Sequence, residues 1–206
     1  MLEKIDYRRH DEPFTWVHIR EFLPAAAARR LAEEFPAAEL SESRSPTAHY
    51  HLSDCTVIED GEPTDVVQRL TPGWQDFVEL LLSAAYREFV AEATGADLDG
   101  CRLKVRPCQY EPGHFMTAHT DKPDRVVTQV VYLNADWPEE WGGQLDILTR
   151  PDDDDPQAVA ARVWPRLNNS VLFVRCDRSY HAVRPVDVRA GGLRRSVLAQ
   201  FVASGG

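Results

Sequence analysis

The residues best suited to chemistry in this chain are a histidine and an aspartate two positions apart, His119 and Asp121. On a β-strand, residues at i and i+2 point to the same face, and even if the strand ends in a turn both side chains can reach one ion. Imidazole and carboxylate are ligands that Fe(II) accepts, among other divalent metals. By itself the pair is weak evidence, because a turn histidine beside a solvated aspartate has the same spacing.

A further histidine, His181, lies 62 residues after His119. A lone histidine is more often a hydrogen-bonded core or loop residue, but this one begins a predicted strand just downstream of the apolar segment 169–174 and well past the His119–Asp121 pair, which favours a metal ligand. Two histidines and one carboxylate on one face of an octahedron, with the other positions open, indicate a non-haem Fe(II) oxygenase. We therefore predict that His119, Asp121 and His181 bind one metal ion.

Two other patterns could bind metal. His49 and His51 also stand at i and i+2, but Asp54 is the single carboxylate at matching spacing, so we interpret them as residues near the mouth of a pocket. The acidic run 152–155 lacks the glycine and the distal glutamate of a Ca²⁺ loop, which favours a solvated surface loop.

The segment 194–201 has an informative alternation. Arg195, Val197, Ala199 and Phe201 share one face of the predicted strand, and that face suits packing on helices. Arg194 and Ser196 then point into the interior. An inward arginine is costly unless it meets an anion, and a guanidinium pairs with a carboxylate through two hydrogen bonds. The anion could belong to a ligand or to an acid of the chain such as Asp187.

Composition narrows the function classes. The net charge of −10 provides no basic surplus for a nucleic-acid partner. The first six residues are charged and lack the apolar core of a signal peptide, and no apolar run is long enough to span a membrane, so a cytoplasmic location is expected. The cysteines lack Cys-x-x-Cys spacing and are expected to be reduced thiols: Cys55, Cys101, Cys108 and Cys176.

The pattern of elements indicates an α+β protein. Helices are predicted at 25–35, ending before Pro36, and from Thr71-Pro72 to Gly95, whereas residues 37–65 are polar and mixed. A first strand is predicted at 14–19, and short strands dominate later, near 102–109, 114–121, 126–133, 144–149, 159–164, 170–175, 181–187 and 194–202. We expect one domain over 1–206, with a helical support region at 1–99 and a sheet core at 100–202.

Five blocks in order give a family resemblance. They are 110–121, 132–137, Gly142-Gly143-Gln144-Leu145, His181-Ala182-Val183 and Gly192-Leu193-Arg194-Arg195-Ser196. Together they resemble the Fe(II)- and 2-oxoglutarate-dependent dioxygenases, in the prolyl-4-hydroxylase-like branch. The resemblance covers about residues 100–202. It implies a double-stranded β-helix, or jelly roll, backed by the N-terminal helices.

The resemblance also implies roles for single residues. His119, Asp121 and His181 match the iron ligands. The residues that match the 2-oxoglutarate site are Arg194, which pairs with the distal carboxylate, its companion Ser196, the pocket tyrosines Tyr110 and Tyr132, and the apolar wall residue Leu145. The 13 residues from His181 to Arg194 exceed the usual spacing, which leaves Arg195 as a less favoured substitute for Arg194. Relatives often have an aromatic residue where this chain has Met116.

The implied cofactors are Fe(II), 2-oxoglutarate as co-substrate and O₂, with ascorbate as an optional reductant. Halogenating members of this family lack a carboxylate at the position of Asp121. Because this chain has one there, we expect hydroxylation, or a related desaturation or ring closure, with release of succinate and CO₂. A small-molecule substrate is favoured, an amino acid or a biosynthetic intermediate. The alternatives are a peptidyl-prolyl hydroxylase and, from another class, a cupin-like metal- or ligand-binding protein. The sequence leaves the oligomeric state open.

The residues expected near the mouth of the site could recognise a polar or carboxylate-bearing substrate, although solvation explains them equally well. They are Arg106, Gln109, His114, Met116, Asp124, Arg125 and Gln200.

Overall fold

A computed structural model describes residues 5–45, 47, 49–152 and 154–204. Three α-helices are found there: α1 (Ala25–Glu33), α2 (Pro72–Leu82) and α3 (Ala84–Thr94). Six strands precede or flank the helices: β1 (Tyr7–His10), β2 (Trp16–Ile19), β3 (Ser41–Arg44), β4 (Tyr50–Asp54), β5 (Ile58–Glu59) and β6 (Glu62–Pro63). Eight follow: β7 (Cys101–Tyr110), β8 (Phe115–His119), β9 (Arg125–Tyr132), β10 (Leu145–Leu148), β11 (Val159–Val163), β12 (Ser170–Val174), β13 (His181–Val183) and β14 (Arg194–Ala203).

The strands of the described residues form one curled antiparallel sheet. Eleven follow the order β1-β2-β12-β9-β14-β7-β4-β8-β13-β10-β11, and β3, β5 and β6 attach at its side. Strand β14 lies at the centre, paired along its length with β7 and β9. This arrangement confirms the predicted α+β jelly roll. The eight strands expected after residue 100 are all present, with ends that shift by a few residues.

The helices pack on one face of the sheet, and alternation along β14 decides which side chains meet them. Val197, Ala199 and Phe201 are buried in the same apolar cluster as Trp74 and Phe77 of α2. A buried hydrogen-bonded chain also ties α3 to the sheet. The Tyr86 hydroxyl donates to Gln129 Oε1 at 2.6 Å, and Gln129 Nε2 donates to Ser170 Oγ at 2.8 Å.

The helix predicted from residue 72 to Gly95 is interrupted at Ser83. Ser83 has an extended backbone (φ −70°, ψ 150°), and its hydroxyl accepts a hydrogen bond from the Tyr86 backbone N–H at 3.2 Å. A serine that caps the following turn ends α2 and begins α3, because its hydroxyl replaces a missing intrahelical partner. The predicted stop is correct, since Gly95 adopts φ +71° directly after α3.

Residues 37–65, for which no element was predicted, provide β3 to β6. Strand β4 pairs with both β7 and β8, so this polar segment closes one side of the barrel. In the acidic run, Asp152 and Asp154 are exposed, and Asp155 accepts a hydrogen bond from the Gln157 backbone N–H. Asp153 lies outside the described residues. So do residues 1–4, which belong to the N-terminal segment that lacks the pattern of a signal peptide. In the described chain, no helix has the length and apolar character needed to cross a bilayer.

Candidate active site

The predicted metal ligands come together at one end of the barrel. The ligand atoms of His119, Asp121 and His181 all lie within 4.8 Å of one another. His119 and His181 are directly opposite each other in the antiparallel pair β8–β13, and their ring centres are 4.3 Å apart. Strand β8 ends at His119, so Asp121 reaches the cluster from the turn that follows and not from the strand itself.

Backbone carbonyl groups orient both imidazole rings. The Nδ1 atom of His119 lies 2.8 Å from the Thr117 carbonyl oxygen, and that of His181 lies 3.0 Å from the Ser179 carbonyl oxygen. Because a carbonyl can only accept, each Nδ1 carries the proton and each Nε2 keeps its lone pair. This is the tautomer in which Nε2 can bind a metal ion.

The carboxylate of Asp121 is oriented by the neighbouring strand. The Thr128 hydroxyl, on β9, donates to Asp121 Oδ2 at 2.5 Å. Arg175 Nε also lies 3.5 Å from the Asp121 backbone oxygen. One carboxylate oxygen is therefore held by the protein, and the other remains available as a ligand.

His181 is the buried member of the cluster, with 4% of its surface exposed, and its ring lies 4.3 Å from that of Phe173. Burial, with a smaller contribution from His119, lowers the pKa of His181 to about 4, and Asp121 opposes this shift. His181 is thus a neutral imidazole at neutral pH, which is the form that binds metals.

Arg194 is buried in the barrel, as the alternation along β14 predicted. It is 1% exposed, its Nε donates to the Gly143 carbonyl at 2.5 Å, and its guanidinium carbon lies 4.7 Å from the Tyr110 ring centre. The carboxylate considered as its intramolecular partner, Asp187, instead forms an ion pair with Arg189. The barrel therefore contains a cation that is positioned by a carbonyl and aromatic rings.

Tyr132 lies beside this cation. Its ring centre is 5.2 Å from the Arg194 guanidinium carbon, and its buried hydroxyl has no hydrogen-bond partner among the described residues. Burial raises the pKa of Tyr132 to about 12, so the hydroxyl remains protonated and can donate. Tyr110, Leu145 and Ser196 are buried on the same inner side.

Arg195, the less favoured substitute for Arg194, faces away from the barrel. Its guanidinium lies 4.9 Å from the Phe35 ring centre, and its Nε donates to Gln109 Oε1 at 3.2 Å. It borders a separate cavity of about 380 Å³ next to α1.

Comparison with known proteins agrees with this geometry. Residues 105–201 match the family model described as the 2OG-Fe(II) oxygenase superfamily. The matched segment runs from β7 to β14 and contains the three candidate metal ligands, Arg194, Tyr110 and Tyr132. The strand core of this chain, residues 105–201, is therefore similar to the 2OG-Fe(II) oxygenase superfamily. The cofactors that this family implies are Fe(II), 2-oxoglutarate and O₂.

Prolyl hydroxylases are among the proteins that this chain resembles. A prolyl-4-hydroxylase of Pseudomonas putida has 25% sequence identity and a TM-score of 0.63, with 92% of this chain and 93% of that chain covered. HygX of Streptomyces hygroscopicus, solved with nickel, 2-oxoglutarate and hygromycin B, has 12% identity and a TM-score of 0.60, with 92% and 83% covered. The prolyl 3-hydroxylase OGFOD1 of Xenopus laevis is 26% identical over 117 residues, 56% of this chain. The chain spans about a fifth of the length of that curated relative.

One cavity of about 610 Å³ connects the candidate metal ligands with the surroundings of Arg194. It is bordered by the three candidate metal ligands and by Arg194, Tyr110, Leu145 and Ser196. Of the residues expected at its mouth, Arg106, Met116, Arg125 and Gln200 border it, as does His49. Gln109 points to the other side of the sheet, towards Arg195, because it alternates with Cys108 and Tyr110 along β7.

The other mouth residues have different surroundings. His114 is buried, and its ring centre lies 3.6 Å from that of His51, with the two ring planes tilted by 31°. Asp124 forms an ion pair with Arg125 at 2.6 Å.

Sequence reasoning missed two residues that position the site. Thr128 holds Asp121, and Gly143 provides the carbonyl that holds Arg194. The sequence did indicate a role for Thr128. Thr128-Gln129 interrupts the apolar pattern of β9, and a polar side chain that is buried in a strand needs a hydrogen-bond partner. Gly143 belongs to the block Gly142-Gly143-Gln144-Leu145, but that block did not predict its contact with Arg194, because the contact depends on how the loop after Trp137 folds back.

Proposed function

We propose that this protein is an Fe(II)- and 2-oxoglutarate-dependent oxygenase that hydroxylates a C–H bond of a small molecule, an amino acid or a biosynthetic intermediate, with release of succinate and CO₂. The observation that carries the proposal is one cavity containing both a cluster of two histidines and one carboxylate and a buried arginine. A cupin-like binding protein would need the cluster of metal ligands but not the buried arginine.

The residues fit the implied cofactors. His119, Asp121 and His181 are the donor set typical of non-haem Fe(II), with both Nε2 atoms free for it. Arg194 and the Tyr132 hydroxyl, which has no partner among the described residues, are both donors and suit one end of a dicarboxylate. Bound iron, 2-oxoglutarate and O₂ supply the oxidising chemistry. The chain's own part is to hold the two ends of the co-substrate and to exclude water with the apolar walls around Leu145 and Phe173.

Peptidyl-prolyl hydroxylation is the second candidate. The names of the Pseudomonas putida and Xenopus laevis relatives favour it, since both are prolyl hydroxylases. The cavity of about 610 Å³ favours a small molecule, because its volume is in the range of pockets that enclose small ligands.

The test is the weak visible charge-transfer band of the chelate formed by Fe(II) and 2-oxoglutarate, measured without oxygen and with ascorbate present. We expect the wild type to show the band and His119→Ala to lose it while keeping a native circular dichroism spectrum. A wild type without any band would contradict the proposal. Succinate release over matched panels of amino acids, metabolites and proline-containing peptides then separates the two substrate classes.

A further inference from the structure

The charge of the cavity is opposite to that of the chain. Besides Arg194, four basic side chains border it: Lys104, Arg106, Lys122 and Arg125. Among the described residues that border the cavity, the one carboxylate is Asp121, which already belongs to the metal cluster. The chain as a whole has a net charge of −10, so an overall basic surplus does not explain this lining. A cleft lined by one sign of charge attracts ligands of the opposite sign.

The pairing of the strands places these basic side chains next to the candidate metal ligands. On β14, Gln200 pairs with Lys104 on one side and with Thr128 on the other, and Thr128 holds Asp121. Leu198 lies opposite Arg106, and Val202 lies opposite Arg125. The basic side chains of β7 and β9 therefore flank the part of β14 that is closest to the candidate ligand Asp121.

Both arginines are held in place and still have free donors. Arg106 donates from one terminal nitrogen to Asp54 Oδ2 at 2.7 Å, and its buried Nε has no hydrogen-bond partner among the described residues. Arg125, whose side chain is 14% exposed, donates from one terminal nitrogen to Asp124 at 2.6 Å. A guanidinium has five N–H donors, so each ion pair leaves others for a ligand.

The side chain of Gln200 completes the arrangement. It is 4% exposed, borders the cavity and donates from Nε2 to the Thr128 hydroxyl at 3.3 Å. An anion bound between the two arginines would lie beside this amide. The N–H donors that these ion pairs leave without a partner would be costly to desolvate when a ligand closes the cavity, whereas a carboxylate would accept hydrogen bonds from them.

We propose that the substrate carries a carboxylate that binds Arg106 and Arg125 beside Gln200, so that the substrate class is small carboxylic acids, acidic amino acids among them. This inference rests on the proposed function. It assigns two separate anion sites to one cavity: Arg194 for the co-substrate, and the Arg106–Arg125 pair for the substrate.

The experiment first fills the co-substrate site, because a small acid could otherwise bind at Arg194. The protein is saturated with Ni(II) and 2-oxoglutarate, and binding of L-glutamate, L-aspartate and their N-acetyl forms is measured by calorimetry against the matching carboxamides. We expect at least one acid to bind about tenfold more tightly than its amide, the size of one charge-assisted hydrogen bond.

Variants locate the site. Arg125→Gln should weaken binding of that acid by about tenfold while the affinity for 2-oxoglutarate stays the same. Arg106→Lys keeps the charge and the partner for Asp54 but loses the forked geometry, so it should show a smaller loss. Arg166→Gln is the matched control, since Arg166 also pairs with an exposed acid, Glu139, and does not border the cavity.

Three results would overturn the proposal while 2-oxoglutarate still binds: amides that bind as tightly as the acids, no binding by any acid, or an Arg125→Gln variant that binds the acid as the wild type does. A wild type that does not bind 2-oxoglutarate would instead contradict the proposed function itself and this inference with it.

Discussion

At the residue scale, the Thr128 hydroxyl is the contact that most directly controls the candidate metal site. It holds Asp121 Oδ2 at 2.5 Å from a neighbouring strand and itself accepts a hydrogen bond from Gln200. Groups that hold a metal ligand in place typically contribute 10–100-fold to metal affinity. Thr128 is therefore expected to matter although it touches no ion.

We predict that Thr128→Val weakens Ni(II) binding by about 10- to 100-fold, because valine keeps the shape and the strand preference but removes the donor to Asp121. Calorimetric titration with Ni(II) measures the loss. Thr149→Val is the control, since the Thr149 hydroxyl donates to the Ala158 carbonyl away from the cavity. Equal metal affinity in the wild type and in Thr128→Val would show that Asp121 needs no such support.

Arg194 and Arg195 provide a matched pair on opposite faces of one strand. We predict that Arg194→Gln raises the dissociation constant for 2-oxoglutarate at least about 30-fold, equivalent to about 2 kcal/mol for a lost buried charge pair. Arg195→Gln should leave that constant unchanged, since Arg195 packs on Phe35. Titration of 2-oxoglutarate into the Ni(II)-loaded protein measures both. The reverse order of effects would assign the co-substrate site to Arg195.

At the level of single elements, the backbone conformation between Trp141 and Leu145 determines a contact of Arg194, the candidate 2-oxoglutarate residue. Gly142 and Gly143 both have positive φ, at +65° and +67°, and Gly143 provides the carbonyl that holds Arg194. A Cβ atom on Gly142 would collide with the Pro185 carbonyl oxygen, which is backbone and cannot rotate away. Position 142 therefore needs glycine, both for its positive φ and for the lack of space for a Cβ atom.

We predict that Gly142→Ala lowers the melting temperature and also weakens 2-oxoglutarate binding, because the displaced turn moves the Gly143 carbonyl away from Arg194. Gly100→Ala is the control. Gly100 has a similar φ of +71°, but a Cβ atom there would meet nothing within 4 Å. The control should lose about 1 kcal/mol of stability and keep its affinity. If both variants behave alike, the strain of a positive φ alone explains the effect.

At the scale of the whole molecule, the candidate ligands connect parts of the sheet that are far apart in sequence. His119 and Asp121 come from β8 and its following turn, and His181 comes from β13. A ligand that binds the folded state alone stabilises it by about 2.7 kcal/mol at a concentration of 100 times its dissociation constant. For a domain of this size, 1 kcal/mol corresponds to about 2–4 °C.

We predict that Ni(II) together with 2-oxoglutarate raises the melting temperature by about 5–11 °C at that saturation. Thermal unfolding with and without both ligands measures the shift. Asp121→Ala should lose most of it, because one of the three ligands is gone. A shift of equal size in Asp121→Ala would mean that the metal binds elsewhere.

Features that depend on local spacing could be predicted from the amino-acid sequence. The interval between His119 and Asp121 put both within reach of one ion, and the period of two along 194–201 separated the inward Arg194 from the outward Arg195, because strand geometry repeats over two residues. Contacts between segments that are far apart in the chain could not be predicted, because no local pattern encodes them. Three features depend on such contacts: the hydrogen-bond partners of Thr128 and Gly143, the pairing of β4 with β7 and β8, and the basic residues that line the cavity.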